Sequence, residues 1–187
     1  MNKAPACPVF FSCFSLTAFL PVRYNPIIAT ATIAQATNVG GAMPAITRDL
    51  NIVARCSAQF RGQLLAPLGL SAGEAPYILY ICRCPGTSQE QVATALHVNP
   101  SSAARKLARL EEAGFVTRRT GRKDKRLIEV YPTEKAERAL GEIRRINALW
   151  HDYLTEGMTE EEKQLLERLL ERIRARAVAH PGGEAAP

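Results

Sequence analysis

Residues 87–130 read TSQEQVATALHVNPSSAARKLARLEEAGFVTRRTGRKDKRLIEV, and this stretch decides the fold. It opens on Thr87 and Ser88, both good N-cap residues, so we expect a short helix to start here. Asn99 and Pro100 repeat the start signal, because Asn caps well and Pro is pre-organised for the first helical position. The pattern therefore predicts two short helices joined by a tight turn.

A strand, a charged tip and a returning strand are predicted after the second helix. Gly114 supplies the left-handed residue that ends the helix, and Phe115 opens the first strand. The tip at 121–126 is too polar to be buried, and Pro132 ends the returning strand. This order of elements indicates a winged helix-turn-helix, a shape suited to duplex DNA.

Positive charge is concentrated in the same region. Between residues 101 and 126 there are nine Lys and Arg against three acids, a net charge of +6, which equals the formal net charge of the whole chain. Positive charge concentrated on one folded unit predicts that this unit binds a polyanion. The alternative is that these basic residues only form a solvated surface. Because the charge falls on the second helix and the wing, we favour double-stranded DNA.

From about residue 46 to 177 the chain resembles the MarR family of bacterial transcriptional regulators. The residues that carry the resemblance are SQEQVATALHVNPSSAARKLARLEEAGFV, followed by TRRTGRKDKRLIEVYPTEKAE. The resemblance implies a homodimer on a pseudo-palindromic operator, with the recognition helix in the major groove and the wing at the minor groove. It also implies that Arg126 is the wing arginine and that Asp124 orients it. Ala104 and Ala113 stand where the family commonly has polar residues.

The residues expected to contact DNA lie on the second helix and the wing. Arg105 is the best candidate for a bidentate contact to guanine in the major groove. Arg126 is the best candidate for insertion into a narrow, A·T-rich minor groove. The alternative for Asp124 and Arg126 is a surface ion pair that braces the hairpin. The full candidate set is Ser101, Ser102, Arg105, Lys106, Arg109, Arg122, Lys123, Asp124 and Arg126.

The predicted fold is mainly α with a small β-hairpin wing, flanked by dimerisation helices. We expect one domain at 46–178 and a flexible tail at 179–187. Within the domain, the winged helix-turn-helix is predicted at 72–132 and the dimerisation helices at 47–65 and 133–178.

Four helices are predicted outside the helix-turn-helix itself. They run over Asp49–Leu65, from Ser71 to about Arg83, from Thr133 to about Leu154, and from a capping box at Thr159 onward. Because Pro76 falls late for a first turn, the alternative for the second helix is a start nearer to Pro76 or a bend. The last helix carries a broad apolar seam of Leu165, Leu166, Leu169, Leu170 and Ile173. Such a seam needs a partner surface, either the preceding long helix or a second copy of the chain.

Residues 1–45 differ from the rest in composition, with Lys3 and Arg23 as the charged residues. The apolar run Val9–Leu20 is too short to span a bilayer as a helix, although it resembles the core of a signal peptide. Export would separate a DNA-binding domain from DNA. We therefore favour a disordered extension or a mis-assigned start, with translation beginning at Met43.

Regulation is expected to involve a small molecule. The resemblance implies a repressor that a lipophilic or phenolic ligand releases from DNA. The candidate pocket residues are Phe60, Tyr77, Tyr80 and Trp150. Aromatic residues at helical spacing are more often part of the core, which is the alternative interpretation.

Cysteine chemistry gives a second possibility for regulation within the same fold. Cys56, Cys82 and Cys84 would serve a redox sensor, because reactivity needs a thiol near positive charge and Arg55 and Arg83 are sequence neighbours. Buried inert thiols are the alternative.

Other functional classes find little support. Five cysteines without regular spacing argue against a disulfide framework and predict a reducing, cytoplasmic setting. His97, His151 and His180 are scattered, so no metal site is predicted. Neither a phosphate-binding loop nor a nucleophile elbow occurs, so we expect no cofactor and no enzyme. The remaining rival is an architectural or protein-interaction winged helix without sequence preference.

Overall fold

The computed structural model describes residues 44–121 and 127–180. The chain divides into two compact units, Met1–Leu50 and Asn51–Pro187. In the first unit, the described residues form the start of a helix in which Arg48 Nε donates a hydrogen bond of 2.9 Å to Asp49 Oδ1. The second unit carries the rest of that helix and the elements that follow.

The described residues form six α-helices and three short strands. The helices are α1 (Ala45–Leu65), α2 (Ala75–Arg83), α3 (Gln89–Ala95), α4 (Pro100–Glu112), α5 (Glu134–Leu154) and α6 (Glu160–Val178). The strands are β1 (Thr87–Ser88), β2 (Val116–Thr120) and β3 (Ile128–Pro132). This confirms the predicted fold class, which is mainly α with a small antiparallel sheet.

Side-chain caps open four of these helices, as the sequence predicts. Ser88, Asn99, Thr133 and Thr159 each accept a hydrogen bond from a backbone N–H in the first turn of α3, α4, α5 and α6 respectively. Gly114 follows α4 with φ of 75°, the left-handed conformation expected for a helix-ending glycine.

Two helix starts differ from the prediction. Helix α1 begins at Ala45 rather than at Asp49. Helix α2 begins at Ala75, near Pro76 as the alternative allowed and not at Ser71, because the backbone N–H of Ser71 donates to the Glu74 carboxylate and closes a turn before the helix. Pro76 then lies in the first turn of α2, where its missing N–H costs nothing.

The sheet contains one strand that the sequence did not indicate. Its order is β1-β3-β2, and all pairs are antiparallel. In the hairpin of β2 and β3, which is the described part of the wing, Val116 pairs with Pro132 and Thr120 with Ile128. Strand β1 was not predicted because a strand of two residues is too short to show an alternation of apolar and polar side chains.

The core of the second unit lies between α2, α4, α5 and the sheet. Its fully buried side chains include Ile78, Ile81, Leu107, Leu110, Phe115, Val130, Ile143 and Ile146. Helix α6 contributes no buried residue. Among the helices that the structure describes, none has the length and apolarity needed to cross a bilayer.

Candidate nucleic-acid interface

Helix α4 presents a polar face because its apolar face is fully used by the core. Ala103, Leu107 and Leu110 are each no more than 1% exposed. Arg105 lies on the opposite side of the helix and is exposed. The amphipathic pattern read from the sequence therefore matches the burial, and it directs this basic side chain away from the protein.

The start of α4 is organised by hydrogen bonds among its own polar residues. Asn99 Oδ1 accepts from the backbone N–H of Ser101 at 2.8 Å and from the Ser101 hydroxyl at 2.6 Å. Ser102 Oγ accepts from Arg105 Nη2 at 3.3 Å. Ser101 therefore supports the cap with its hydroxyl, while Ser102 holds the guanidinium of Arg105 beside the helix start.

The other two basic residues of α4 lie near the segment that precedes α2. Lys106 Nζ approaches Gly73 so closely that a Cβ added to this glycine would lie 3.2 Å from it. Arg109 forms an ion pair with Glu74, and its side chain remains 57% exposed. Within residues 44–121 and 127–180, no carboxylate forms an ion pair with Arg105 or Lys106.

Glu74 is a part of this site that the sequence interpretation missed. The residue is only 2% exposed, and its carboxylate accepts hydrogen bonds from Ser71 and Arg109. Burial would raise the pKa of Glu74, but the hydrogen bonds from Arg109 and Ser71 outweigh it and lower the pKa overall. An acid at the start of a helix normally signals capping, so its link to a residue 35 positions away was not predictable.

A second ion pair joins α4 to the wing. Glu111 accepts a hydrogen bond of 2.8 Å from the backbone N–H of Arg118 and one of 2.7 Å from Arg118 Nε. On β2, the guanidinium of Arg119 lies 5.3 Å from the ring centroid of Tyr131. Both arginines of the strand are thus engaged by neighbouring side chains.

The predicted wing-tip residues lie outside the part of the chain that the structure describes. They are Arg122, Lys123, Asp124 and Arg126. Their role at the minor groove stays a prediction from the sequence and from the family resemblance.

The four aromatic candidates for a ligand pocket have different environments. The rings of Phe60 and Trp150 contact each other, with centroids 5.0 Å apart, and Trp150 also stacks on Tyr153 at 5.8 Å. Tyr80 is half-buried against the core. Tyr77 is buried, and its hydroxyl has no hydrogen-bond partner among the described residues. The structure brings Phe60 and Trp150 together, whereas Tyr77 belongs to the core.

A surface crevice of about 560 Å³ lies beside Arg109. Its walls are formed mainly by small residues from the end of α1 and from the segment before α2: Ala58, Gly62, Ala66, Gly69, Leu70, Ser71, Ala72 and Gly73. None of the four aromatic candidates lines this crevice.

The structure describes three cysteines, of which Cys56 and Cys82 are free thiols. Cys56 is exposed, whereas Cys82 and Cys84 are half-buried. Burial raises the pKa of Cys82, Glu137 raises it further, and Arg144 offsets only part of this effect. A raised pKa disfavours the thiolate, which weighs against Cys82 as a reactive group. In the same described stretches, no three His, Cys, Asp or Glu residues are grouped as metal ligands.

The capped helix pair, the recognition helix with its outward arginine and the following hairpin define a winged helix-turn-helix protein. Residues 68–127 match the model of the MarR family. The uncharacterized HTH-type transcriptional regulator YybA of Bacillus subtilis (strain 168) is 30% identical over 129 residues, which span 69% of this chain and 86% of that protein.

Solved structures agree with this assignment. The transcriptional regulator SlyA superposes with a TM-score of 0.69 at 30% identity, covering 72% of this chain and 94% of the other. A putative MarR family transcriptional regulator from Listeria monocytogenes, solved in complex with 26mer DNA, superposes with a TM-score of 0.68 at 26% identity. The match covers 72% of this chain and 90% of the other. The chain belongs to the MarR family and is a DNA-binding transcriptional regulator rather than an enzyme.

Proposed function

We propose that this regulator is a homodimeric, sequence-specific repressor that binds a pseudo-palindromic operator. The observation that carries the proposal is the outward face of α4, where Arg105 is exposed and held by Ser102 while the opposite face is buried. An exposed guanidinium on the outward face of such a helix is suited to a bidentate contact with guanine in the major groove. The reducing, cytoplasmic setting predicted from the cysteines belongs to the same proposal.

The dimeric state is supported by the apolar residues that α6 leaves exposed. Leu165, Leu169, Leu170 and Ile173 are between 39% and 50% exposed. Because a contiguous apolar face of this kind favours association, a second copy of the chain is the partner we propose. Two recognition helices would then read two half-sites about one helical turn apart.

DNA recognition is tested by anisotropy titrations of the full chain at one near-physiological salt concentration. One duplex is selected by the wild-type chain from a random-sequence library, and the other is its scrambled version. A specific regulator prefers the selected duplex by about 10³-fold or more, whereas an architectural protein binds both duplexes equally. Equal binding would therefore overturn the proposal.

Two substitutions test the proposed contacts. We expect Arg105→Ala and Arg126→Ala to weaken binding to the selected duplex about tenfold or more without changing the melting temperature, since a good base contact contributes about 1–3 kcal/mol. The matched control is Arg138→Ala, which removes an exposed arginine that pairs with Glu134 on α5. Unchanged affinity in both test variants would count against the assigned roles.

We further propose that a small lipophilic or phenolic ligand releases the protein from DNA. The contacting rings of Phe60 and Trp150 support a binding site at these side chains, and the crevice beside Arg109 is a second, separate candidate. The crevice is wide open to solvent, so an occupant would lie at the surface beside Arg109 rather than in an enclosed pocket. An occupant of the crevice would touch the recognition helix through Arg109.

Ligand release is tested by adding monocyclic phenols and aromatic carboxylates to the DNA complex while anisotropy is followed. We expect at least one compound to release the duplex and to raise the melting temperature of the DNA-free protein, because a ligand stabilises the state that it binds. Release by peroxide alone, abolished by replacing the cysteines with serine, would support the redox alternative instead.

A further inference from the structure

Glu74 is the only charged residue among the buried side chains of the described part of the chain. Burying a carboxylate is costly unless it is paired and hydrogen-bonded. In this protein the cost is met by specific donors on two different elements. A charge retained in such a position therefore calls for an explanation beyond stability, because apolar residues of similar size can replace buried ion pairs with little loss.

Both oxygens of the Glu74 carboxylate are used, and they face different parts of the fold. Oε2 accepts from the Ser71 backbone N–H at 2.8 Å and from the Ser71 hydroxyl at 2.7 Å. Oε1 accepts from Nη1 of Arg109 on α4. The carboxylate thus connects the turn before α2 with the recognition helix.

The docking of α4 does not depend on this connection. Ala103, Leu107 and Leu110 already anchor the helix in the core. Contacts of this kind fix the buried face, but they do not orient an exposed guanidinium. The ion pair with Glu74 does so, while Arg109 stays 57% exposed and keeps further N–H donors for another partner.

We propose that Glu74 is a positioning residue for sequence-specific DNA binding, which holds the guanidinium of Arg109 in the orientation that the operator requires. This inference rests on the proposed function, since it concerns how the same recognition helix discriminates between sequences. It differs from the simpler view in which Arg109 is only a mobile charge that neutralises a phosphate.

The two views differ in what Glu74→Gln does to the preference for the operator over scrambled DNA. This change removes a negative charge near the DNA-binding face and replaces one carboxylate oxygen with an NH2 group, so the side chain can no longer accept from both Ser71 and Arg109. If Arg109 acts only as a charge, affinity for every duplex rises or stays the same, and the preference for the operator is kept. If Glu74 positions Arg109, affinity for scrambled DNA is unchanged or higher while the preference for the operator falls.

The experiment compares the full wild-type chain with Glu74→Gln on two duplexes, the one selected by the wild-type chain from a random library and its scrambled version. We expect the ratio of the two affinities to fall about tenfold in the variant, the size of effect that the loss of one oriented base contact produces. The matched control is Glu142→Gln, which breaks an ion pair with Arg145 within α5 and should leave the ratio unchanged.

Arg109→Gln extends the test. The same fall in the ratio is expected, and combining it with Glu74→Gln should add little, because the two residues act as one unit. If Glu74→Gln fails to fold, Ser71→Ala replaces it, since this change removes one donor to the carboxylate and should lower the ratio about threefold.

The possible failures are distinguishable. A ratio within about twofold of wild type in a folded variant overturns the inference but leaves the proposed function intact. If the variant binds both duplexes more weakly by the same factor, the inference is likewise overturned and the proposed function is left intact. A wild-type chain that selects no duplex overturns the proposed function and the inference together.

Discussion

Helices α4 and α6 have the same kind of amphipathic sequence, but only α4 buries its apolar face within the chain. Leu107 and Leu110 of α4 are at most 1% exposed, whereas Leu165 and Leu169 of α6 are 50% and 43% exposed. The DNA-binding part thus completes its core within one chain. The C-terminal helix leaves its apolar face exposed, which is what the proposed homodimer requires.

Ion pairs show the same contrast. Those of α4 reach other elements, since Arg109 contacts Glu74 and Glu111 contacts Arg118. Those of α6 are local, as in Lys163 with Glu160, three residues apart. Local pairs of exposed residues add little to stability. Helix α4 is therefore anchored by apolar contacts and linked to neighbouring elements by ion pairs, whereas α6, within the described residues of one chain, has no buried side chain and no ion pair with another element.

The largest effect is expected in the core of the DNA-binding part. Leu107→Ala should lower the free energy of unfolding by about 2–5 kcal/mol, because it removes a fully buried side chain and leaves a cavity. Urea denaturation at several protein concentrations measures this loss, which should be the same at each concentration. A loss below about 1 kcal/mol would contradict the assignment of this residue to the core.

A change on α6 should act on assembly instead. Leu169→Asp places a charge in the exposed apolar seam, and we expect the dimer dissociation constant to rise about 100-fold, since burying an unpaired charge at an interface is costly. Sedimentation equilibrium of the full chain measures this effect. The control Gln164→Asp introduces the same charge on the opposite side of α6, and equal effects of both changes would argue against the seam as the dimer interface.

The sequence was sufficient for the elements whose signals are local. The caps at Ser88, Asn99, Thr133 and Thr159 and the left-handed Gly114 were all read correctly, because each depends on residue types only a few positions apart. The apolar positions of α4 were equally clear, since a helix with one buried face repeats about every 3.6 residues.

Contacts between distant residues were not predictable. Ser71 is a good cap by residue type, but its donors bind the Glu74 carboxylate, and α2 begins near Pro76, the other start that the sequence allowed. The same carboxylate binds Arg109, and nothing in the spacing of two residues 35 positions apart signals such a contact. The role expected for Arg109 as a simple DNA contact therefore needed the structure before its orientation could be considered.

A smaller effect is expected at the end of α4. Gly114 has φ of 75°, and a Cβ added there would meet no atom within 4 Å. Gly114→Ala should therefore cost about 1–2 kcal/mol from backbone strain alone. Gly141→Ala is the control within α5, where an added Cβ also meets nothing and should stabilise by about 0.5–1 kcal/mol. Thermal unfolding measures both, and the same sign in the two variants would contradict this reasoning.

The smallest effect concerns the contact between α4 and the wing, and it depends on pH. The hydrogen bond from the backbone N–H of Arg118 lowers the pKa of Glu111 below the ordinary value of about 4.3, and the hydrogen bond from the Arg118 guanidinium lowers it further. Because the pKa is lower in the folded than in the unfolded state, the contact stabilises the protein above pH of about 4.3 and is lost as pH falls through the folded value.

Glu111→Gln should therefore be less stable than wild type at pH 7, by no more than about 1 kcal/mol because solvent screens this half-exposed pair. The difference should close as the pH is lowered well below about 4.3, where the carboxyl is protonated in both states. Melting temperatures across this range measure it, with the exposed neighbour Glu112→Gln as control. A difference that persists in acid would mean that the carboxylate charge does not hold the wing, and that α4 is joined to it by packing alone.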